Sequence, residues 1–189
     1  MKFYAGQKEN RRSKFVFLPI FFLILFACAA VPTKTYDETV SQWQSYKDVA
    51  KWMSWHFSYD MTRFRETEGK GPFYVEPRAP EQTFKLKSGV CYDAAIFAKE
   101  TLNRIDPSYE ASIVFLQIRP YGVNHYVCSF RKDGKLYIID YGTPNRNVLG
   151  VHGPYNSLEE YKNFYERRNS KVTHVVSIHY VDLNFYKTK

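Results

Sequence analysis

Cysteine is scarce in this chain: Cys28, Cys91 and Cys128 are the only three in 189 residues. That count excludes a small domain held together by a disulfide framework. Basic runs are absent as well. Five of the 27 Lys and Arg and one of the 19 Asp and Glu precede Cys28, which leaves a scattered net charge of about +4 beyond it. Nucleic-acid binding needs a basic stripe, so no nucleic-acid partner is expected. No glycine-rich phosphate loop follows a strand-like run, since Gly69 and Gly71 only lead into Pro72. His56 and His152 lack a spaced Cys, His, Asp or Glu partner, and His174 and His179 stand five apart in a strand-like run, on opposite faces. Neither a metal nor another cofactor is expected. There is no internal repeat or low-complexity tract. Aromatic residues are plentiful, at 18% of the chain, and they exclude a disordered protein.

One long apolar run exists, and it lies at the start. Lys2, Lys8, Arg11, Arg12 and Lys14 precede an almost wholly apolar stretch from Phe15 to Ala30. That pattern is expected to be a secretory signal over residues 1–30, too short and wrongly flanked for a lasting span. Its end, Leu25-Phe26-Ala27-Cys28, resembles the bacterial lipobox, with Phe26 bulkier than usual. The resemblance implies cleavage before Cys28 and lipidation of that cysteine, hence a membrane partner through an N-terminal lipid. With Ala29 rather than an aspartate next, it implies sorting to the outer membrane. Cleavage after Ala29 or Ala30, or a retained anchor, are the alternatives. Each places the folded part outside the cytoplasm.

The remaining residues, taken as 36–187, suit one domain with one core. Val40, Trp43, Tyr46, Ala50, Met53 and Phe57 recur at helical spacing, which predicts one amphipathic helix from Asp37 to Phe57. Ser58 to Lys87 is rich in Gly and Pro and reads mostly as loop. A helix starting at Ser88 or Gly89 and running to about Arg104 carries Ala94, Ala98 and Leu102 on one stripe, with Pro107 barring continuation. Alternating runs at Ala111–Arg119, Asn124–Arg131 and Lys135–Tyr141 predict strands, the last two joined by an Asp133-Gly134 hairpin turn. Gly142 to Tyr155 reads as a loop, Ser157 to Glu160 opens a helix through a capping box, and Val172 to Phe185 alternates again. Because the strands cluster, the fold class is α+β with an antiparallel sheet.

Cys91, His125 and Asp140 follow one another as a thiol nucleophile, its base and an orienting carboxylate would. The positive end of a helix and its unpaired amides favour a thiolate at Cys91. A two-residue turn at Asp133-Gly134 pairs residues whose numbers sum to 267, so His125, Val127 and Asp140 share a face. His125 and Asp140 are then diagonal neighbours within side-chain reach. Cys128 falls on the opposite face as a core residue, away from where Cys91 is expected to approach, so no Cys91–Cys128 disulfide is expected.

Trp55-His56-Phe57-Ser58-Tyr59, Gly89-Val90-Cys91-Tyr92-Asp93-Ala94-Ala95, Asn124-His125-Tyr126-Val127 and Ile138-Ile139-Asp140 together resemble the transglutaminase-like family of the papain-like superfamily, over about Asp48 to Pro144. The resemblance implies a helix bearing Cys91 packed on an antiparallel sheet bearing His125 and Asp140. It implies Cys91 as nucleophile, His125 as general base and acid, and Asp140 as orienter. No oxyanion-hole side chain is clearly marked; Trp55 and Tyr59 are candidates, and both also suit a core. Asp93 matches the family's acid after the cysteine and equally suits a helix N-terminus. The expected function is an exported thiol enzyme acting on amide bonds, as a cysteine peptidase or amidase or by acyl transfer through a thioester. Its partner would be a peptide, protein or peptidoglycan amide. The alternative is a non-catalytic binding or scaffolding lipoprotein with the same fold.

Overall fold

Two capping boxes divide the first amphipathic stretch. In the computed structural model, which describes residues 34–67, 76–119, 124–168 and 174–181, helix α1 spans Tyr36–Val40 and α2 spans Tyr46–His56. Thr35 and Glu38 cap the first of these. At the second, the Ser45 hydroxyl accepts from the Lys47 amide at 3.3 Å and the Asp48 carboxylate accepts from the Ser45 amide at 3.0 Å. The single helix expected from Asp37 to Phe57 is therefore two. The apolar spacing carries across the break, but the Ser45–Asp48 box starts a new helix.

Strand β1 (Ser58–Tyr59), helices α3 (Met61–Thr67) and α4 (Pro80–Leu86) and strand β2 (Ser88–Gly89) follow. The segment expected to be loop thus holds two short helices. Asp60 accepts from the Arg63 amide at 3.0 Å to start α3, and Pro80 sits in the first turn of α4, where a missing N–H costs nothing. Gly69, Gly71 and Pro72 lie outside the described residues, as do the expected leader, the lipobox and Cys28. β1 and β2 pair in parallel, with Tyr59 beside Gly89. That pairing occupies Ser88 and Gly89, so helix α5 begins later than expected, at Cys91, and ends at Ile105.

β3 (Ser112–Arg119), β4 (His125–Lys132), β5 (Lys135–Asp140), β6 (Gly150–Tyr155), helix α6 (Leu158–Arg168) and β7 (His174–Val181) complete the described chain. The five longer strands form one antiparallel sheet in the order β6-β5-β4-β3-β7. The fold is α+β. Asp133 and Gly134 take φ of 51° and 71°, as a tight hairpin requires, and Lys132 pairs with Lys135 and Cys128 with Ile139. β6 is an added strand where the sequence suggests loop. It lies at the sheet edge, where Pro154 removes no needed ladder donor. The β3–β7 register shifts between Gln117 and Ile118, leaving Val176 extra. This bulge reverses parity, so His174 and His179 share a face, contrary to expectation. Their partners Arg119 and Phe115 are four residues apart, about 13 Å, too far for one metal.

Helical layers cover both faces of the sheet. α2 and α5 pack Val49, Met53, Phe97, Ala98 and Leu102 against Cys128, Phe130 and Ile139. α6 packs Tyr161 and Tyr165 against Val114, Leu116, Val127 and Ile138 on the other face.

Candidate active site

The start of α5 is built around a buried carboxylate. Asp93 is fully buried and accepts from the Val90 amide at 3.0 Å, which caps the helix although Val90 has no capping side chain. Its oxygens also take Arg63 Nε at 2.9 Å, Arg63 Nη2 at 3.2 Å and the Arg78 amide at 2.8 Å. Four donors on one buried charge are what such burial demands. Gly89 makes the room, because a Cβ there would come within 2.6 Å of Asp93 Cβ. Arg78 continues outward to the Ser88 carbonyl at 2.9 Å and Asp60 at 3.1 Å. The Arg63 amide, and behind it the Arg78 guanidinium, outweigh burial and hold the Asp60 carboxyl below its ordinary value. The Gly-x-Cys-x-Asp pattern therefore sets the position of Cys91 by way of Gly89 and Asp93.

Across from it, His125 opens β4 and Asp140 closes β5. His125 Nε2 lies 2.8 Å from Asp140 Oδ2, as the shared parity predicts, and both residues are buried. Cys91 acts on the same imidazole and helps to raise its pKa. With Nε2 taken by Asp140, Nδ1 is the nitrogen left for the sulfur. Burial opposes charge on the ring, yet Asp140 first, then Tyr165 and Cys91, raise its pKa well above the ordinary histidine value.

The thiol does not come from the face expected. α5 covers the Cys128 face, while His125 and Asp140 point to the α6 face. Cys91 meets His125 around the end of the sheet, where the chain leaving β5 runs against the helix start. A Cβ on Gly142 would fall 2.5 Å from Cys91 Cα, so the two backbones touch without an intervening side chain. Cys91 and Cys128 are both free. Cys128 is fully buried with Ala94 and Ala98, and burial pushes its thiol pKa far up.

Of the two aromatic candidates, Trp55 is misplaced. It is 71% exposed, with Lys51 Nζ 4.8 Å over its ring, and is neither a core residue nor part of the buried cluster. The last turn of α2 turns it outward. Tyr59 is half-buried and pairs with Gly89; burial chiefly, and then Cys91 and Asp93, push its phenol pKa up, so it stays a neutral donor. The rings of Tyr92 and Tyr126 lie 4.9 Å apart, tilted at 47°, in the cluster against which Cys91 packs. Among the described residues, no group of three His, Cys, Asp or Glu is placed to hold a metal.

The family model for the transglutaminase-like domain matches residues 29–150. The chain belongs to that family. No curated protein sequence matches it. Among solved structures, calcium-bound Legionella pneumophila LapG is 18% identical with a TM-score of 0.39, covering 56% of this chain and 55% of that one. EGTA-treated LapG from the same organism is 21% identical with a TM-score of 0.38, covering 51% and 50%. This chain thus spans about half the length of those two. A structure described as a TGase is 15% identical with a TM-score of 0.35, covering 69% of this chain and 31% of that one. The transglutaminase-like core here is the helix bearing Cys91 packed on the antiparallel sheet bearing His125 and Asp140.

Of the residues that sequence reasoning singles out, His125 and Asp140 meet directly, Cys91 starts the helix at the same end of the sheet, Tyr59 pairs with Gly89, two residues before Cys91, and Trp55 lies outside. That reasoning misses Gly142, Arg63 and the α6 pair Tyr161 and Tyr165. Only Gly142 leaves a trace, as a glycine two residues after Asp140.

Proposed function

We propose that this transglutaminase-like protein is an exported thiol enzyme acting on amide bonds, with Cys91 as nucleophile, His125 as base and acid, and Asp140 as orienter. One observation carries the proposal: His125 Nε2 meets the buried Asp140 carboxylate at 2.8 Å, and Gly142, two residues after Asp140, brings the Cys91 backbone to the same end of the sheet. In this mechanism the thiolate attacks the amide carbonyl carbon and a C–S bond forms. The carbonyl electron pair moves onto oxygen, where the Cys91 amide, free of any intrahelical acceptor at the first helical position, and the Tyr59 hydroxyl donate to it. His125 then gives the Nδ1 proton to the leaving nitrogen, the C–N bond breaks, and a thioester remains. Water or an amine attacks the thioester while His125 takes its proton, and the sulfur leaves as thiolate. Water makes the enzyme a peptidase or amidase; an amine makes it an acyl transferase.

The substrate is a peptide, protein or peptidoglycan amide of the cell envelope, reached by an outer-membrane lipoprotein tethered through Cys28. The lipobox resemblance of Leu25-Phe26-Ala27-Cys28 supports that location. Site-resolved alkylation across pH tests the chemistry. Cys91 is expected to react faster near neutral pH than the thiol of a free peptide, and His125→Ala to remove the advantage. Alkylation at the peptide rate would leave a non-catalytic binding module.

A further inference from the structure

Helix α6 begins at Leu158, beyond residue 150, where the family match ends. Two of its tyrosines nevertheless lie directly behind the His125–Asp140 pair. Tyr161, fully buried, donates from its hydroxyl to Asp140 Oδ2 at 3.4 Å, the same oxygen that meets His125 Nε2. Tyr165 is 3% exposed and lays its ring on the His125 imidazole, with centroids 5.7 Å apart and planes 28° apart. Four residues apart on a helix, the two side chains share one face. Asp140 Oδ1 is buried with no hydrogen-bond partner among the described residues. The aim of the carboxylate therefore rests on two contacts to one oxygen, one from the imidazole and one from Tyr161. Burial first, then the Asp140 charge, keep the Tyr161 phenol protonated and so a donor.

We propose that Tyr161 and Tyr165 are positioning residues for the Cys91–His125–Asp140 site. Tyr161 fixes the carboxylate that aims His125, and Tyr165 fixes the plane of the imidazole. The proposal rests on the thiol-enzyme reading and makes α6 part of the working site as well as a cover for the sheet. Rotation of the imidazole about Cβ–Cγ would carry Nδ1 off the sulfur, and the stacked tyrosine opposes that rotation. A carboxylate held by His125 alone would turn with it. Small losses of aim are costly, because reacting groups must be held close to their productive geometry.

Iodoacetamide alkylation of Cys91 in the full chain, followed by site-resolved mass spectrometry across pH, supplies the test. Tyr161→Phe keeps the buried ring and is expected to slow Cys91 about tenfold, the scale of one hydrogen bond to a charge. In an Asp140→Asn background the same change should add nothing. Tyr165→Leu, which removes the ring, should also slow Cys91, and in a His125→Ala background the same change should add nothing. A tyrosine that merely filled the core would give equal losses with and without its partner. Such additivity, or an unchanged rate in Tyr161→Phe and Tyr165→Leu, would overturn the proposal. His125→Ala with a wild-type rate would instead sink the thiol-enzyme reading beneath it.

Discussion

His125 is 5% exposed, and burial alone disfavours an imidazolium there; Asp140, with help from Tyr165 and Cys91, reverses that preference. The reversal has a sign that can be measured. The unfolded histidine loses its proton near about pH 6.5, whereas the folded one keeps it to higher pH. Between those values the native state binds a proton that the unfolded chain has released. The pair's stabilisation is therefore full below about pH 6.5 and is lost as pH rises through the folded value. Asp140→Asn removes the first of the causes that oppose burial, so the His125 pKa should drop, as an NMR titration of the ring would record. The variant should then gain less stability on acidification than the wild type. Turnover should fall by roughly a hundredfold or more, the range of general acid–base assistance. An unshifted ring titration would remove Asp140 from the orienting role.

Helix α5 depends on contacts at its first turn that are readable only in part. The Ala94, Ala98 and Leu102 stripe and the Asp133-Gly134 turn are local signals, and the shared face of His125 and Asp140 follows from the turn by counting. The side of the sheet that α5 covers is not local. It is set by the path from α5 into β3, and no residue near Cys91 encodes it. Similarly, Tyr161 and Tyr165 look in sequence like any core stripe, and β6 hides behind glycines and a proline that only an edge strand tolerates. Asp93 is legible as an acid at a helix start, but Arg63, thirty residues away, is not. Two expectations follow at this scale. Asp93→Asn leaves Arg63 facing a neutral amide inside the protein and should cost about 3–5 kcal/mol in denaturant unfolding. Gly142→Ala should do less to stability than to chemistry. The added carbon must push the strand exit off the helix start, and Cys91 alkylation should fall at least as far as in Tyr161→Phe, with a smaller shift in the unfolding midpoint. Wild-type alkylation in Gly142→Ala would mean that the contact does not hold the thiol in register.

For the whole molecule, the proposed tether and the proposed chemistry reside in separate cysteines, so each can be removed without the other. Cys28→Ser should release the protein from membranes or block its processing on fractionation, while Cys91 in the released chain still alkylates at the wild-type rate. A soluble wild-type protein beginning at Ala30 or Val31 would contradict lipidation. The separation also bears on substrate: if the released protein keeps activity toward a small amide but loses it toward the cell envelope, the tether selects the target by proximity.

Cys128 gives such experiments an internal clock. Its sulfur is fully buried among α5 and the sheet, donates to the Ser129 carbonyl at 3.4 Å and is held protonated by burial. A reagent in water can meet it only when the core opens. At ordinary protein stabilities of 5 kcal/mol or more, labelling should run about three orders of magnitude or more below the rate for an exposed thiol. One time course then reports two equilibria from the same chain, site geometry from Cys91 and core opening from Cys128. A variant that slows the first thiol without hastening the second has lost aim; one that hastens the second has lost its fold.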